Sequence, residues 1–571
     1  MGDPKMKLSS NALKVLRERY LLKDRNRRII ETPDHLFRRV ANAITKNKKQ
    51  AKEFYGVMSR LEFVPNTPTL MNAGTDIGQL SACFVLPVED SLESIYTTLK
   101  NSALIHQSGG GTGFDFSRLR PEGDTVFSTK GTSSGPVSFI SIFDKSTDVI
   151  KQGGKRRGAN QGILRIDHPD IVEFIKIKST NPSSFRNFNL TVAITDRFMK
   201  AVKANRNYDL INPRNRKTVK RVNAKKIFNL IVDSAWRCGD PCLIFIDEIN
   251  RRNPTPALGR LEATNPCAEL PLLPYESCNL GAINLSKVVE NKEIDWEKLR
   301  RLVQTGVTFL DNVVDKNKYP LKEIRDITLA NRKIGLGVMG FADMLVLLGI
   351  PYNTEEAVSL GEKIMKFIKT ESKNQSAKLA GKYRNFPNFR KSIWARKYRK
   401  MRNATTNCLQ PTGTVSIIAG CSSSIEPIFG IAFVRHVLAG KNLVDVNPLF
   451  RKTARERGFY TKNLIYRIVR RGTIQGIKEI PEDVRKVFVC AHDIKPEWHI
   501  TMQAAFQKHI DNAVSKTVNL HHNASRKDVE KAFLLAYRLK CKGITVYRDR
   551  SKKEQVLSLG VKECPKGICP V

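Results

Sequence analysis

Asn265-Pro-Cys-Ala-Glu269, followed by Leu-Pro-Leu-Leu-Pro-Tyr-Glu-Ser and then Cys278, sets a thiol, a carboxylate and a side-chain amide within five residues. Prolines at 266, 271 and 274 exclude a regular helix or a central strand here. The stretch therefore reads as a reactive loop rather than as part of the scaffold.

Around it lie 571 residues, long for one ordinary domain but within the range of α/β barrels, and 41% of them are hydrophobic, enough for one large core. No apolar run approaches the roughly 20 residues that span a bilayer. The start, Met1-Gly-Asp-Pro-Lys-Met-Lys7, is no apolar signal segment. A soluble, cytoplasmic protein is expected. Eleven cysteines are scattered without the dense spacing of a secreted disulfide scaffold. In a reducing cytosol the informative ones are catalytic, redox-active or simply buried. Cys238-Gly-Asp-Pro-Cys242 has the form of half a metal knuckle, but no second pair stands at zinc-site spacing, and two packed thiols are the plainer reading.

The formal net charge of +42 comes from Lys and Arg spread along the chain. Such a surface attracts polyanions, nucleotides and nucleic acids alike. It exceeds what a few phosphate sites require, and the sequence supplies no full account of the excess; charged surfaces are enriched in proteins of thermophiles.

The first sixty residues read as basic and helical, with Leu13, Leu16 and Tyr20, then Phe37, Val40 and Ala41, at helical spacing. From about Leu61 to Arg550 short β-rich runs alternate with amphipathic segments, as in an α/β architecture. Leu243-Ile-Phe-Ile246 and Gly543-Ile-Thr-Val-Tyr547 are predicted strands. Trp296 to Val314 places Leu299, Leu302, Val303, Leu310 and Val313 on one helical face, and Asp528 to Leu539 follows a Ser525/Asp528 capping box; both are predicted core helices. The end is Lys-rich from Ser551 and closes on Glu563-Cys-Pro-Lys-Gly-Ile-Cys-Pro-Val571, an arm with a dithiol near its tip. The expected division is a helical region 1–62, a main domain 63–550 and a flexible redox tail 551–571.

Ser81-Ala-Cys83, Asn265-Pro-Cys-Ala-Glu269 and Pro411-Thr-Gly-Thr-Val-Ser416, in that order, resemble the catalytic chain of ribonucleotide reductase. From about Leu8 to about Leu557 the surroundings are most similar to its adenosylcobalamin-dependent, class II branch. The resemblance implies a fold that periodicity could not supply: a ten-stranded α/β barrel with a finger loop through its centre, preceded by a small helical region. Larger relatives carry a further N-terminal ATP-binding domain for which no room is left before this region, so overall on-off control by ATP and dATP is expected to be absent.

Residue by residue, the resemblance puts Cys267 at the thiyl position. A radical beside the ribose 2′-carbon makes loss of the 2′-hydroxyl feasible, and a cysteine thiyl creates it by abstracting the 3′-hydrogen. Glu269 would accept the 3′-hydroxyl proton, which requires a base within about 3 Å, while Asn265 fixes the sugar. Cys83 and Cys278 match the pair that supplies two electrons and closes to a disulfide. Cys564 and Cys569 would reduce that disulfide by exchange, with thioredoxin or glutaredoxin as external reductant, although the family's tail pair is often closer than Cys-x4-Cys.

Pro411, Thr412, Gly413, Thr414 and Val415 form the implied substrate-phosphate loop, whose hydroxyls and N–H groups suit an anion. Thr67, Ala82, Cys83 and Gly111 would face the same substrate; Ala82 stands where some relatives have Ser. Asp90, seven residues beyond Cys83, and Arg120 match the specificity-effector site for dNTP or ATP. Lys151-Gln-Gly-Gly-Lys-Arg-Arg-Gly-Ala-Asn160 resembles the loop that carries effector identity to the substrate base, with Gln152 and Arg156 as its candidate readers and Lys151 among the effector-binding residues.

The initiator is argued from what is missing and what is present. Thr545-Val-Tyr547-Arg-Asp549 lacks the adjacent tyrosines of the oxygen-dependent relatives, and the last residues lack a glycyl-radical motif. Gln107-Ser-Gly-Gly-Gly-Thr-Gly-Phe-Asp-Phe116, Ala505 to Ser515 and Gly543 to Asp549 look like the cobalamin class. No Asp-x-His-x-x-Gly box occurs, which this family does not use, and no metal ligand is expected from protein side chains. The cofactor would be adenosylcobalamin, supplying the starting radical. The expected activity is reduction of ribonucleoside diphosphates, favoured over triphosphates by the long form with two-loop effector control, in a homodimer without membrane or specific nucleic-acid partner. Two alternatives stand beside it: a class I-type large subunit that needs a metal-radical small subunit, and a basic nucleic-acid-binding protein with a retired reductase core.

Overall fold

The structure, a computed structural model, describes residues 6–152, 156–181, 184–437, 441–552 and 557–558. Five strands run parallel in one half of the central sheet: β1 (Cys83–Leu86), β2 (Gly111–Asp115), β3 (Asn160–Arg165), β4 (Phe188–Ile194) and β5 (Cys242–Phe245). In the other half β6 (Ser277–Asn284) lies parallel to β7 (Ile334–Met339), and β8 (Thr517–Leu520) parallel to β9 (Gly543–Arg548). The extended segment 405–410 joins these two pairs, with Leu336 opposite Asn407 and Leu409 opposite Val514. Its bonds run from Cys408 N–H to Leu336 O at 3.2 Å and from Leu409 N–H to Ala513 O at 3.1 Å.

Two antiparallel seams complete the ring, β1 against β6 and β5 against β9. Nine strands and the 405–410 segment thus make the ten-membered barrel expected from the resemblance, two parallel halves running in opposite directions. An edge strand, Phe63–Pro65, adds to the outside of β6.

The period of two along these strands sorts their side chains into two cores. Phe84, Leu86, Phe114, Leu164, Val192, Leu243 and Phe245 face the surrounding helices, where Phe114, Phe116 and Phe143 meet edge to face or tilted. Cys83, Val85, Ile163, Ala193, Ile244, Cys278, Leu280 and Cys408 face inward with Leu270 and Leu272 of the finger loop. Each fully buried aliphatic or Phe side chain contributes about 1.5–3 kcal/mol by leaving water. The inward core is therefore completed by the finger loop through Leu270 and Leu272.

The N-terminal helices Pro33–Ile44 and Lys48–Ser59 are capped by Thr32 and Asn47 and pack on the helix Trp296–Lys316 through Phe54 and Phe309. The predicted strand at Leu243 is Cys242–Phe245, that at Gly543 is Gly543–Arg548, and the Ser525/Asp528 capping box opens the helix Arg526–Arg538. Between Ile428 and Cys490 a lobe with its own core, including Phe450, Ile465, Ile468 and Phe488, sits on the barrel.

Candidate active site

Ala263–Thr264 pairs antiparallel with Pro271–Leu272, so the finger is a short hairpin with residues 265–270 at its tip. Asn265 closes the tip three times. Its N–H donates to Leu270 O at 3.3 Å, its Oδ1 accepts from Leu270 N–H at 3.0 Å, and its carbonyl accepts from Ala268 N–H at 2.9 Å. The turn forces Ala268 to a left-handed φ of +63°, a conformation costing a non-glycine residue roughly 1–2 kcal/mol.

Two contacts anchor the loop to the barrel: Ala513 N–H donates to Glu269 O at 2.8 Å, and Asn189 Nδ2 on β4 donates to Pro266 O at 2.7 Å. β2 makes room for it. A Cβ at Gly113 would stand 1.7 Å from Thr264 O, and one at Gly111 would stand 3.1 Å from Pro266 Cγ. The Gly-Thr-Gly spacing of β2 is thus a packing requirement of the finger.

At the tip Cys267 is exposed, while Asn265 and Glu269 are buried. Asn265 Nδ2 donates to Cys83 Sγ at 3.1 Å. Cys83 and Cys278 are direct partners across the β1–β6 seam, and both carry free thiols. Burial pushes the Cys83 thiol far above its usual range, and the charges of Glu269, Cys267 and Cys278 add to the effect. Burial raises Cys278 as well, with the Lys333 ammonium acting in the opposite sense. Both thiols stay protonated at neutral pH.

Lys333 and Glu276 form an enclosed ion pair beside them, Nζ to Oε2 at 2.5 Å; Glu276 also accepts from Asn331 Nδ2 at 2.6 Å and from Leu273 N–H at 2.7 Å. Cys408, which the sequence reading passed over, is fully buried in the same inward core. Gly335 lets it lean toward β6: a Cβ there would stand 2.6 Å from Cys408 Sγ and 2.5 Å from Leu280 Cδ2. Neither Cys408 nor Asn189 belongs to a motif, and only strand register reveals them.

The 411–415 loop leaves the carboxyl end of the 405–410 segment, where parallel α/β sheets bind their ligands. Thr412 sits at φ +54° with its Oγ1 accepting from Ser424 N–H at 2.7 Å, and Gly413 is open, with nothing within 4 Å of where a Cβ would stand. Gln410 Nε2 donates to Gly281 O at 2.9 Å. Thr67 hydrogen-bonds Tyr20 through their hydroxyls at 2.8 Å. Ala82, Gly111 and Cys278 are linked, Gly111 N–H to Ala82 O at 2.9 Å and Ala82 N–H to Cys278 O at 3.2 Å.

The two expected effector residues also meet. Arg120 donates to Asp90 from its backbone N–H at 3.1 Å and from Nε at 2.9 Å. On the same loop Asp124 accepts from Arg214 at 2.9 and 2.7 Å and from Asn212 at 2.9 Å, and the Arg214 contact holds its carboxyl well below the usual range. In backbone Lys151–Gln152 pairs with Arg156–Arg157, Gln152 opposite Arg156. The side chains of Lys151, Gln152 and Arg156 lie outside the described part, as do Cys564 and Cys569.

A cavity of about 820 Å³ opens beyond the carboxyl end of β8, lined by residues including His492, Lys495, His521, Asn523, Asp528 and Arg538. Both ring nitrogens of His492 are buried without a hydrogen-bond partner among the described residues. Among those residues no group of three or more His, Cys, Asp or Glu is arranged to hold a metal ion, and no helix is long and apolar enough to cross a membrane.

Fold and site together are those of a barrel enzyme whose finger loop carries an exposed thiol, with two buried free thiols opposed across a strand seam of the barrel. Residues 81–547 match the family described as ribonucleotide reductase, barrel domain, and residues 6–78 that described as ribonucleotide reductase, all-alpha domain. A vitamin B12-dependent ribonucleoside-diphosphate reductase of Thermoplasma acidophilum is 52% identical, the alignment covering 98% of this chain and 81% of the relative. A protein of the same description from Mycobacterium tuberculosis is 48% identical over 97% of this chain and 81% of its own length. The solved alpha subunit of the class Id ribonucleotide reductase of Actinobacillus ureae superposes with a TM-score of 0.80 at 24% identity, over 96% of this chain and 98% of that one, and shares the fold. The chain belongs to the ribonucleotide reductase family.

Proposed function

We propose that this chain is an adenosylcobalamin-dependent ribonucleoside-diphosphate reductase that makes deoxyribonucleotides for DNA synthesis. The observation that carries the reading is the Cys83–Cys278 pair opposed across the β1–β6 seam beneath a loop that presents Cys267, Glu269 and Asn265. The relatives at 52% and 48% identity bear the corresponding name.

The reaction balances as ribonucleotide plus two thiols giving deoxyribonucleotide, one disulfide and water. Cys267, the exposed thiol at the tip, gives up its hydrogen atom and then takes the substrate's 3′-hydrogen, returning it at the end. Glu269 removes the 3′-hydroxyl proton as the 2′-hydroxyl leaves as water. Cys83 and Cys278 deliver two electrons with their protons and close to a disulfide; their elevated pKa values keep the hydrogens on sulfur until then. Asn265 holds Cys83 with one Nδ2 hydrogen and offers the other to the sugar. Pro411, Thr412, Gly413, Thr414 and Val415 take the phosphates, with Thr67, Ala82 and Gly111 on the same substrate.

Bound adenosylcobalamin supplies a carbon-centred radical by homolysis of its Co–C bond. The cavity at the mouth of β8 would take only part of such a group, with His492, Lys495, His521 and Asn523 as the residues that would meet its polar rim. The finger buries Asn265 and Glu269, while Cys267 is exposed at its tip and would be shielded from water by the bound substrate and cofactor.

The finer assignments belong to the same proposal. The chain divides into a helical region 1–62, the barrel 63–550 and a redox tail 551–571, and works in the cytoplasm. Asp90, Arg120 and Lys151 bind a dNTP or ATP effector, with Gln152 and Arg156 relaying its identity. Cys564 and Cys569 return the disulfide to thiols at the expense of thioredoxin or glutaredoxin. Homodimerisation is supported by the outward faces of the helices Leu92–Gln107 and Gly135–Val149, where Leu92, Tyr96, Leu104 and Val149 are exposed beside the Asp90–Arg120 pair.

The test is reduction of CDP by the purified chain with dithiothreitol, aerobically and anaerobically, with and without adenosylcobalamin, beside Cys267→Ala. Turnover that needs the cofactor and disappears in the variant is expected. Turnover that appears only on adding a metal-radical subunit would replace this reading with the class I one.

A further inference from the structure

Asn66 precedes Thr67 and caps the short helix Thr67–Asn72: its Oδ1 accepts from Thr69 N–H at 2.9 Å. That bond settles which end of the amide is which, because only oxygen can accept it. The other end, Nδ2, is then a buried donor, and it has no partner among the described residues although Asn66 is only 9% exposed. A buried unmade donor costs roughly 1–3 kcal/mol, and such a group in a native fold calls for an occupant.

Its position says what the occupant is. Asn66 N–H donates to Leu280 O at 2.9 Å, and the Gln410 side chain donates to Gly281 O at 2.9 Å. Two successive carbonyls of β6 therefore tie down Asn66 on one side and the start of the 411–415 loop on the other. The helix that continues this loop, Val415–Ala419, packs in the same apolar core as Val64 and Leu70, through Val415 and Ile418. A second fully buried orphan, Ser424 Oγ, belongs to the residue whose N–H braces Thr412.

We propose that Asn66 is a substrate-binding residue whose Nδ2 donates to a phosphate oxygen of the nucleoside diphosphate held by the 411–415 loop. The inference rests on the reductase reading and adds a residue to it. Capping and binding are separable roles of one amide: the oxygen holds the helix, the nitrogen holds the ligand.

Asn66→Asp separates them, since aspartate caps as well as asparagine but has no donor and turns a negative charge on the phosphate. Asn66→Ser, also a good cap, is the second variant. With holoenzyme, CDP kinetics and thermal melting, Asn66→Ser is expected to melt with the unsubstituted chain and Asn66→Asp below it, because its carboxylate is buried without a partner; both are expected to raise KM by about tenfold or more, Asn66→Asp more than Asn66→Ser, with kcat within about twofold. An unchanged KM in correctly melting variants would overturn the inference, as would a fall in kcat at constant KM, which would put the amide on the reacting sugar instead. If the unsubstituted chain neither binds nor reduces CDP, the reductase reading itself fails, an outcome distinct from either.

Discussion

Cys83 and Cys278 stand directly opposite each other across the antiparallel seam that joins the two halves of the barrel. Opposed residues of an antiparallel pair have Cα atoms about 4.5–5.5 Å apart, inside the span a disulfide bridges. The pair can therefore close without moving the strands, and neither strand can slip by one residue without moving one of these thiols to the outer face.

In a single turnover without external reductant, one disulfide per active site is expected between Cys83 and Cys278, read as a loss of two alkylatable thiols and by peptide mapping. Cys83→Ser and Cys278→Ser should each form none and reduce multiple-turnover activity below about one-thousandth, because the two act as one unit. A disulfide between Cys83 and Cys408 instead would reassign the pair.

Alkylation should rank the thiols by environment. Cys267 is exposed and labels first with iodoacetamide. Cys83 and Cys278 are buried with pKa values raised above that of an ordinary thiol, so their reactive thiolate fraction is small and their labelling should still be climbing as pH rises past 9. Equal labelling of all three at neutral pH would contradict the burial.

Gly113→Ala should destabilise the chain by about 1–3 kcal/mol or more and abolish turnover, since its methyl would collide with Thr264 O at the base of the finger. Gly381→Ala, in the long helix Glu355–Tyr383 with nothing within 4 Å of the added carbon, should stabilise by about 0.5–1 kcal/mol. Paired thermal melts of the two variants check both signs.

Lys333→Met leaves Glu276 charged and enclosed beside Cys278, a loss of about 3–5 kcal/mol. The double variant Lys333→Met, Glu276→Gln should recover much of it, because the uncompensated charge is gone. Urea unfolding of the single and double variants measures the recovery; equal losses in both would mean that packing, not charge, sets the cost.

Asp343 braces the segment behind the 411–415 loop, accepting from Ser422 N–H at 2.5 Å. Burial raises its carboxyl to about 6, with the Ser422 bond acting to lower it. A folded-state pKa above the unfolded value contributes stability that is present below the unfolded pKa and is lost as pH rises through about 6. Asp343→Asn, neutral throughout and still able to accept, should melt with the unsubstituted chain near pH 4 and above it near pH 7.5, by about 1–3 kcal/mol.

The amino-acid sequence by itself determined the chemistry-bearing types and the local elements. The Asn-x-Cys-x-Glu spacing survives any packing, the prolines keep it out of regular structure, and the capping box at Ser525 and the apolar face from Trp296 are read from neighbours a few residues away. Tertiary structure alone decided the rest. The opposition of Cys83 and Cys278 is a matter of strand register between segments 195 residues apart, the closure of the barrel depends on the unpatterned 405–410 segment, and the clearance at Gly113 exists only because the finger lies against it. The roles of Asn189, Cys408 and the orphaned amide of Asn66 are equally invisible in the linear pattern. Local propensity has a range of about one helical turn, whereas a site assembled from both halves of a barrel is specified by the packing that closes it.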